Sequence, residues 1–283
     1  MHSENSFKNK PFTINCLVPG IYCIEDSWTD KPAGRYINKQ GIYSVNNCSN
    51  VYLVIGSRRA AMFDFSNPSS YSEADVILYS IVKLLSKGLP LSVFATHNHF
   101  DHLGLTQRFV RDSEIDVYMP EGDFASYNVF PKQRTTLLKG GEIINLGDLC
   151  IKSFHLPGHT IGSMMYVVEN MNIVLSGDAL GSGKFLWIFY KRGLNDFISN
   201  ATKFRSAILN SDFGLDKNLV SFYSGHSWQN NYKCPDFNYL NNLITLAQKM
   251  ISGEIVPKKY RSPMVYIDSV YSYGEVSICC ERL

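Results

Sequence analysis

The sequence predicts an α/β fold in which two mixed β-sheets pack face to face with helices on the outside. Short apolar runs of strand type dominate the first part of the chain, and strand and helix patterns are mixed after it. A strongly amphipathic helix also stands between two buried strand-like runs. Residues 13–24 read as extended, and 51–56 (VYLVIG) and 60–65 (AAMFDF) as strands joined by a Ser-Arg-Arg turn. Residues 25–41, broken by Pro32 and Gly34, read as loop. Over 72–87, Ala74, Ile77, Leu78, Ile81, Leu84 and Leu85 recur on one helical face. Ser72 is placed to cap that helix, Asp75 sits near its positive end, and Gly88 ends it. Residues 91–96 (LSVFAT) read as a buried strand. A helix at 104–111, a strand at 115–118, a helix at 120–127 and strands at 141–145, 149–155, 163–169 and 172–176 follow. The pattern closes with a helix at 194–210, a strand at 219–224 and a helix at 236–251. The alternating tail, MVYIDSVYSYGEVSICC, reads as a hairpin or edge strand.

The bulk numbers restrict the function classes. A chain of 283 residues with 45% hydrophobic and 18% charged residues can bury a large core, so global disorder is excluded. No repeat or linker divides it, and residues 1–283 are expected to form a single domain. The net charge of +2 comes without a basic stripe, which argues against nucleic acid as a partner. No apolar run is long enough for a bilayer, and the first ten residues lack the apolar segment of a signal peptide. Seven cysteines at irregular spacing read mostly as free thiols in a reducing, cytoplasmic compartment, with a Cys16–Cys23 bridge as the competing arrangement. Oligomeric state is open, a homodimer included.

The chemistry concentrates in the histidines. Of seven, His97, His99 and His102 fall in THNHFDH (96–102) together with Asp101, directly after an apolar strand. Crowding three imidazoles and a carboxylate is costly unless a cation holds them, and these are ordinary ligands of zinc, manganese or iron. On an extended chain residues two apart point the same way, so His97 and His99 can reach one metal while Asp101 and His102 turn toward a second. His159 in LPGHTIGS, Asp178 in IVLSGDALGSG and His226 in VSFYSGHSW each follow an apolar run and sit among glycines, where sheet folds build active sites. His155, four residues before His159 on a strand, reads as structural.

His97-x-His99-x-Asp101-His102, Pro-Gly-His159-Thr, Ser-Gly-Asp178-Ala and Gly-His226, in this order and spacing, resemble the ligand series of the metallo-β-lactamase superfamily. The resemblance covers about residues 43–227. It implies an αββα sandwich with a metal site at one edge. It also implies one metal on His97, His99 and His159, and a second on Asp101, His102 and His226, with Asp178 bridging. Asp64 occupies the family's acidic position, but Asp64-Phe65-Ser66 replaces the usual Asp-Thr-Gly, a departure that bears on the local turn. An intact bridging Asp178 and a His at position 99 point to the branch of glyoxalase II-like thioesterases, lactonases and esterases.

The expected cofactors are therefore two divalent ions, zinc first, with iron or manganese as alternatives. The expected reaction is attack of a metal-bridged hydroxide on the ester, thioester or lactone of a small molecule, with Asp101 positioning the nucleophile. Asp64 and Thr160 are candidate acceptors for the outer N–H of a ligating His. Phe185, Trp187, Phe189 and Tyr190, next to Asp178 in sequence, are candidates for an apolar pocket wall, as are Trp28, Tyr36, Tyr43 and Trp228; Lys184 and Lys191 are candidate carboxylate contacts. The rival readings are a mononuclear-iron sulfur dioxygenase using His97, His159 and Asp178, a phosphodiesterase, and a non-catalytic module on the same scaffold. Seven donor side chains are too many for one ion, so purified protein should carry close to two divalent metals per chain by elemental analysis. Saturation at one after loading with zinc, manganese and iron would remove the dinuclear reading and favour the dioxygenase.

Overall fold

The computed structural model describes residues 6–9, 11–26, 34–38, 41–45, 48–67, 73–124, 130–182, 185–260 and 267–281. The first half runs β1 (Ser6–Asn9), β2 (Phe12–Val18), β3 (Ile21–Asp26), β4 (Gly34–Asn38), β5 (Gly41–Val45), β6 (Asn50–Ile55), β7 (Ala60–Phe63), α1 (Ala74–Leu85), β8 (Leu91–Phe94), α2 (Phe100–Leu103), α3 (Thr106–Arg111), β9 (Asp116–Pro120), α4 (Glu121–Phe124) and β10 (Thr135–Leu138). The second half runs β11 (Ile143–Asn145), β12 (Cys150–His155), β13 (Met164–Val168), β14 (Ile173–Gly177), β15 (Leu186–Trp187), α5 (Gly193–Leu209), β16 (Ser221–Ser224), α6 (Phe237–Ile251), β17 (Lys258–Lys259), β18 (Ser269–Tyr273) and β19 (Val276–Cys280).

Two mixed sheets form the centre. One has the order β1-β2-β3-β6-β7-β8-β9-β10, the other β11-β12-β13-β14-β16. The central strands β6, β7, β8, β13 and β14 are buried on both faces, and the period-2 alternation sorts their side chains into one of two layers. From β6, Val51 and Leu53 join the helix-side core with Leu78 of α1 and Phe109 of α3, while Tyr52 and Val54 join the layer between the sheets. From β13, Met165 and Val167 face Phe197 of α5 and Leu243 of α6, while Met164, Tyr166 and Val168 face the opposing sheet. Three rings anchor that inter-sheet layer: Phe63 lies 5.1 Å from Phe94 and 4.6 Å from Tyr166. The result is helix, sheet, sheet, helix, as expected.

Several elements differ from the sequence reading. The supposed loop 25–41 contains the end of β3 and all of β4, which pairs with β5 just after it, Tyr36 opposite Tyr43. Gly34 opens β4, paired with Val45, instead of breaking the chain, and Pro32 lies outside the described residues. A four-stranded sheet, β15-β19-β18-β17, carries the tail hairpin, and β10 and β15 are too short to show a periodicity. Ser72 lies outside the described residues; Glu73 occupies the cap position of α1 without a side-chain hydrogen bond. The helix read at 120–127 is described only over Glu121–Phe124, with 125–129 outside the described residues. None of the seven cysteines is in a disulfide, Cys16 and Cys23 included. No helix among the described residues is long and apolar enough to cross a membrane.

Ser66 stands where the related motif has glycine, and it adopts φ = 61°. The turn is thus kept in the left-handed conformation that glycine adopts freely, at a cost of roughly 1–2 kcal/mol for a residue with a Cβ. Its carbonyl accepts from Gly104 N (2.8 Å) and its hydroxyl donates to Asp26 Oδ2 (3.3 Å).

Candidate metal centre

Four strand ends open on one edge of the sandwich. β7 and β8 are parallel neighbours, as are β14 and β16, so their carboxyl ends point the same way in pairs. Asp64 follows β7. The segment 96–102 follows β8 and turns into α2. Asp178 follows β14, and His226 follows β16. His159 comes from the loop between β12 and β13.

The structure brings all seven predicted donors together. His97, His99 and His159 form one set in which one ligand atom from each lies within 4.8 Å of the others, and Asp101, His102 and His226 form another. His97, His102 and Asp178 form a third, overlapping set. Asp178 Oδ2 lies 3.6 Å from His102 Nε2, 3.6 Å from His159 Nε2 and 3.4 Å from His226 Nε2, so it stands between the first two sets. Gly225 makes this approach possible: a Cβ there would meet His102 Cε1 at 2.4 Å and Asp178 Oδ1 at 2.5 Å. His155 is outside these sets; its Nε2 donates to the Ile161 carbonyl (2.8 Å).

The hydrogen bonds behind the rings fix which nitrogen faces inward. His102 Nδ1 donates to Asp64 Oδ2 (2.9 Å), His159 Nδ1 to the Trp187 carbonyl (2.7 Å) and His226 Nδ1 to the Cys48 carbonyl (2.7 Å). Thr96 gives its one hydroxyl proton to Asp64 (2.8 Å), so it accepts from His97 Nδ1 (2.9 Å). With Nδ1 protonated on all four rings, Nε2 is the atom left to ligate a cation, and it carries the lone pair whenever the ring is neutral. The inward nitrogens converge: His102 Nε2 and His226 Nε2 are 3.2 Å apart, and His159 Nε2 lies 2.9 Å from His99 Nδ1. His97 Nε2 and Asp178 Oδ1 are buried with no hydrogen-bond partner. Crowded imidazoles and orphaned buried ligand atoms are costly by themselves and fit a site built for cations.

The electrostatics divide the centre. Burial pulls His97 well below its ordinary value and His159 down to about 4, favouring neutral rings on that side. Burial also opposes charge on His102 and His226, but Asp178, with Asp64 or Asp101, outweighs it and raises both, His226 to about 10. Burial pushes the Asp101 carboxyl up, and His226 and His102 more than reverse this, holding it well below the carboxylate range.

Two acceptor roles read from the sequence part company here. Asp64 holds a ring, as above, and also accepts from Thr96 N (2.7 Å). Thr160 does not: its hydroxyl donates to Asp123 Oδ2 (2.7 Å) and meets Ser163 Oγ (2.8 Å), because the loop turns it away from the His159 ring. Asp123, inside the helix read at 120–127, gave no sequence signal beyond an acidic residue near Glu121. The carbonyls of Cys48 and Trp187 were equally hidden, since a backbone acceptor has no residue-type signature.

Beside His99 and His159 stands a row of aromatic rings. Leu186 and Ile188 point into the core, so the alternation along β15 puts Phe185, Trp187 and Phe189 on the other, half-exposed face. Phe189 lies 5.2 Å from the His99 ring and 5.0 Å from His159; Trp187 stacks on Phe189 at 6.2 Å, and Tyr260 lies 5.8 Å from Trp187. Trp228 is half-buried, with Nε1 donating to the Cys48 carbonyl (2.9 Å). Lys191 is exposed; Trp28 and Lys184 lie outside the described residues, as do the side chains of Tyr36 and Tyr43.

The sequence profile of the metallo-β-lactamase superfamily matches residues 49–212, more than half of the chain. The chain belongs to the metallo-β-lactamase superfamily. Among curated proteins, human acyl-coenzyme A thioesterase MBLAC2 is 27% identical over 202 residues, covering 60% of this chain and 72% of that protein. The hydroxyacylglutathione hydrolase of Dictyostelium discoideum is 28% identical over 189 residues, covering 65% and 64%. Among solved structures, a metallo-β-lactamase family protein of Thermus thermophilus superposes with a TM-score of 0.59 at 19% identity, covering 86% and 85%, which shows the shared fold. Family and relatives support an enzyme of the metal-dependent hydrolase class.

One buried acid nearby yields a pH dependence. Glu25, at the end of β3, accepts from the Tyr232 hydroxyl (3.0 Å), while its Oε2 is buried without a hydrogen-bond partner. Burial raises its carboxyl from 4.5 to about 7. The folded state therefore binds more protons than the unfolded state between these values, and stability falls as pH rises through the window. Glu25→Gln should gain on wild type from pH 5 to 7.5, by up to about 3 kcal/mol, and the difference should then level off. Urea unfolding at fixed metal loading reads this; a constant difference across the range would refute it.

Proposed function

We propose that the chain is a dinuclear metal-dependent hydrolase that cleaves the thioester or ester of an apolar acyl group. The observation that carries this reading is the pair of three-residue donor sets meeting at Asp178, beside the aromatic row. His97, His99 and His159 would hold one ion; Asp101, His102 and His226 would hold the other; Asp178 would lie between them. Nitrogen and carboxylate donors in this number suit zinc, with manganese and iron as alternatives. Two such ions supply an acidified water and polarise the substrate carbonyl.

The chain's own groups do the remainder. An ionised Asp101 carboxylate accepts a hydrogen bond from the attacking water and aims it at the carbonyl carbon. The water oxygen bonds to that carbon, the carbon–sulfur or carbon–oxygen bond breaks, and the leaving group takes a proton. Trp187 and Phe189 offer an uncharged face next to the reacting carbonyl, suited to an alkyl or aryl acyl chain. The names of the relatives, an acyl-coenzyme A thioesterase and a hydroxyacylglutathione hydrolase, favour thioesters within this class.

Two experiments test the reading. Asp101→Ala should lose at least about a hundredfold in turnover, on the scale of one preorganised group deleted from an active site. His155→Ala, which removes one loop hydrogen bond worth about 1 kcal/mol, should lose less than about tenfold. Equal losses in two folded, metal-loaded variants would overturn the division of the histidines, and full activity of the Asp101 variant would overturn the mechanism. In an acyl-thioester series, wild-type kcat/KM should rise up to about fourfold per methylene over short chains, the scale of about 0.8 kcal/mol per buried CH₂. Trp187→Ala and Phe189→Ala should flatten that rise. Hydrolysis of phosphodiesters with none of thioesters, esters or lactones would point to the rival hydrolase class.

A further inference from the structure

One buried carboxylate outside the donor sets touches both loops that carry the three-histidine set. Asp123 lies on α4 directly after β9 and is only 2% exposed. Its Oδ2 accepts from the backbone N–H of Asn98 (3.0 Å) and from the Thr160 hydroxyl (2.7 Å). Its Oδ1 accepts from the N–H of Gly162 (2.8 Å). Asn98 is the residue between His97 and His99, and Thr160 follows His159. A single side chain thus joins the segment holding two of the rings to the segment holding the third.

The backbone is shaped around this contact. A Cβ at Gly162 would stand 2.6 Å from both Cγ and N of Asp123, and one at Gly122 would stand 3.0 Å from the Gly162 Cα. Any larger residue at 162 would push the His159 loop off the carboxylate. The loop is braced internally as well, with Thr160 N donating to Ser163 Oγ (3.0 Å). Burying a carboxylate costs free energy that an apolar side chain would not, and burial pushes the Asp123 carboxyl up despite its three donors. The other donor set is held from different places: His102 by Asp64, and His226 by the Cys48 carbonyl.

We propose that Asp123 is a positioning residue that fixes the spacing of the His97–His99 segment against His159, and so sets the affinity of the ion those three rings would hold. The second ion depends on it much less. This inference rests on the two-ion reading above: Asp123 braces the first set alone, while Asp64 holds His102 directly and His97 through Thr96.

The test separates the two ions with ligand variants and uses cobalt(II) titration against a chelator, a readout independent of turnover. In a His226→Ala background, which cripples the second set, Asp123→Ala should weaken the remaining ion by about 10–100-fold, the range for losing an outer partner of a metal ligand. In a His97→Ala background, which cripples the first set, the same change should cost less than about threefold, because none of the hydrogen bonds of Asp123 goes to a residue of the second set. Asp123→Asn keeps the shape and part of the hydrogen bonding. It should repeat the asymmetry at smaller size, which guards against simple misfolding of the alanine variant. Equal losses in both backgrounds, or no loss in either, would overturn the positioning role. Wild-type protein that takes up no cobalt would instead overturn the metal-centre reading itself, and this inference with it.

Discussion

The centre depends on what lies behind its imidazoles. A histidine presents a lone pair inward only if its other nitrogen keeps the proton, and here that proton is claimed by an acceptor on four rings. Asp64, the Thr96 hydroxyl and the carbonyls of Cys48 and Trp187 supply those acceptors. They come from four separate stretches of chain, so the inward array of Nε2 atoms exists only once the sandwich is assembled. Without them the buried rings would be free to flip or take up the other tautomer, and the orphaned Nε2 of His97 would have no reason to point where it does.

The sheets make that assembly possible. Each mixed sheet contains a parallel pair, β7–β8 in one and β14–β16 in the other, and the ends of these strands deliver Asp64, His97, Asp178 and His226 to one edge. Side chains buried on both faces make the strand register hard to shift, since a slip of one residue would exchange the two core layers. Phe63, Phe94 and Tyr166 lock the sheets together just below the site, and Tyr166 ties its hydroxyl to the Ala95 carbonyl (2.7 Å), next to Thr96. Rigidity at the site is therefore inherited from the inter-sheet core.

Charge is distributed unevenly across the crevice. Burial favours neutral rings on the three-histidine side, while Asp64 and Asp101 stand beside His102 and His226 and Asp178 lies between the two sides. An array of this kind offers two environments to two cations rather than one environment twice. The aromatic row adjoins the neutral side, where no counter-charge disfavours an apolar group. Strain is accepted in the same region: Asp64 and Ser66 both hold positive φ, and the hydrogen bonds of Asp64 to Thr96 and His102 over-determine that backbone.

The sequence by itself determined the sandwich and the identities of the candidate donors. Both are written in local patterns: alternating apolar residues long enough to show a period, and rare ionisable residues directly after apolar runs beside glycines. His97, His99, Asp101 and His102 were legible because they lie within six residues of one another. His159, Asp178 and His226 were legible because each ends or follows a strand. What only the tertiary structure decided is who holds these groups. Asp123 reaches across 25 residues to Asn98 and 37 to Thr160, and the Cys48 carbonyl reaches 178 to His226. Thr160, adjacent to a histidine in sequence, faces that distant carboxylate instead of a ring. The β4–β5 hairpin and β15 escaped for a related reason: β4 carries no continuous apolar run, and the two residues of β15 take their strand form from β19. Local residue type specifies which atoms can bind; through-space contacts between distant segments specify which way they point.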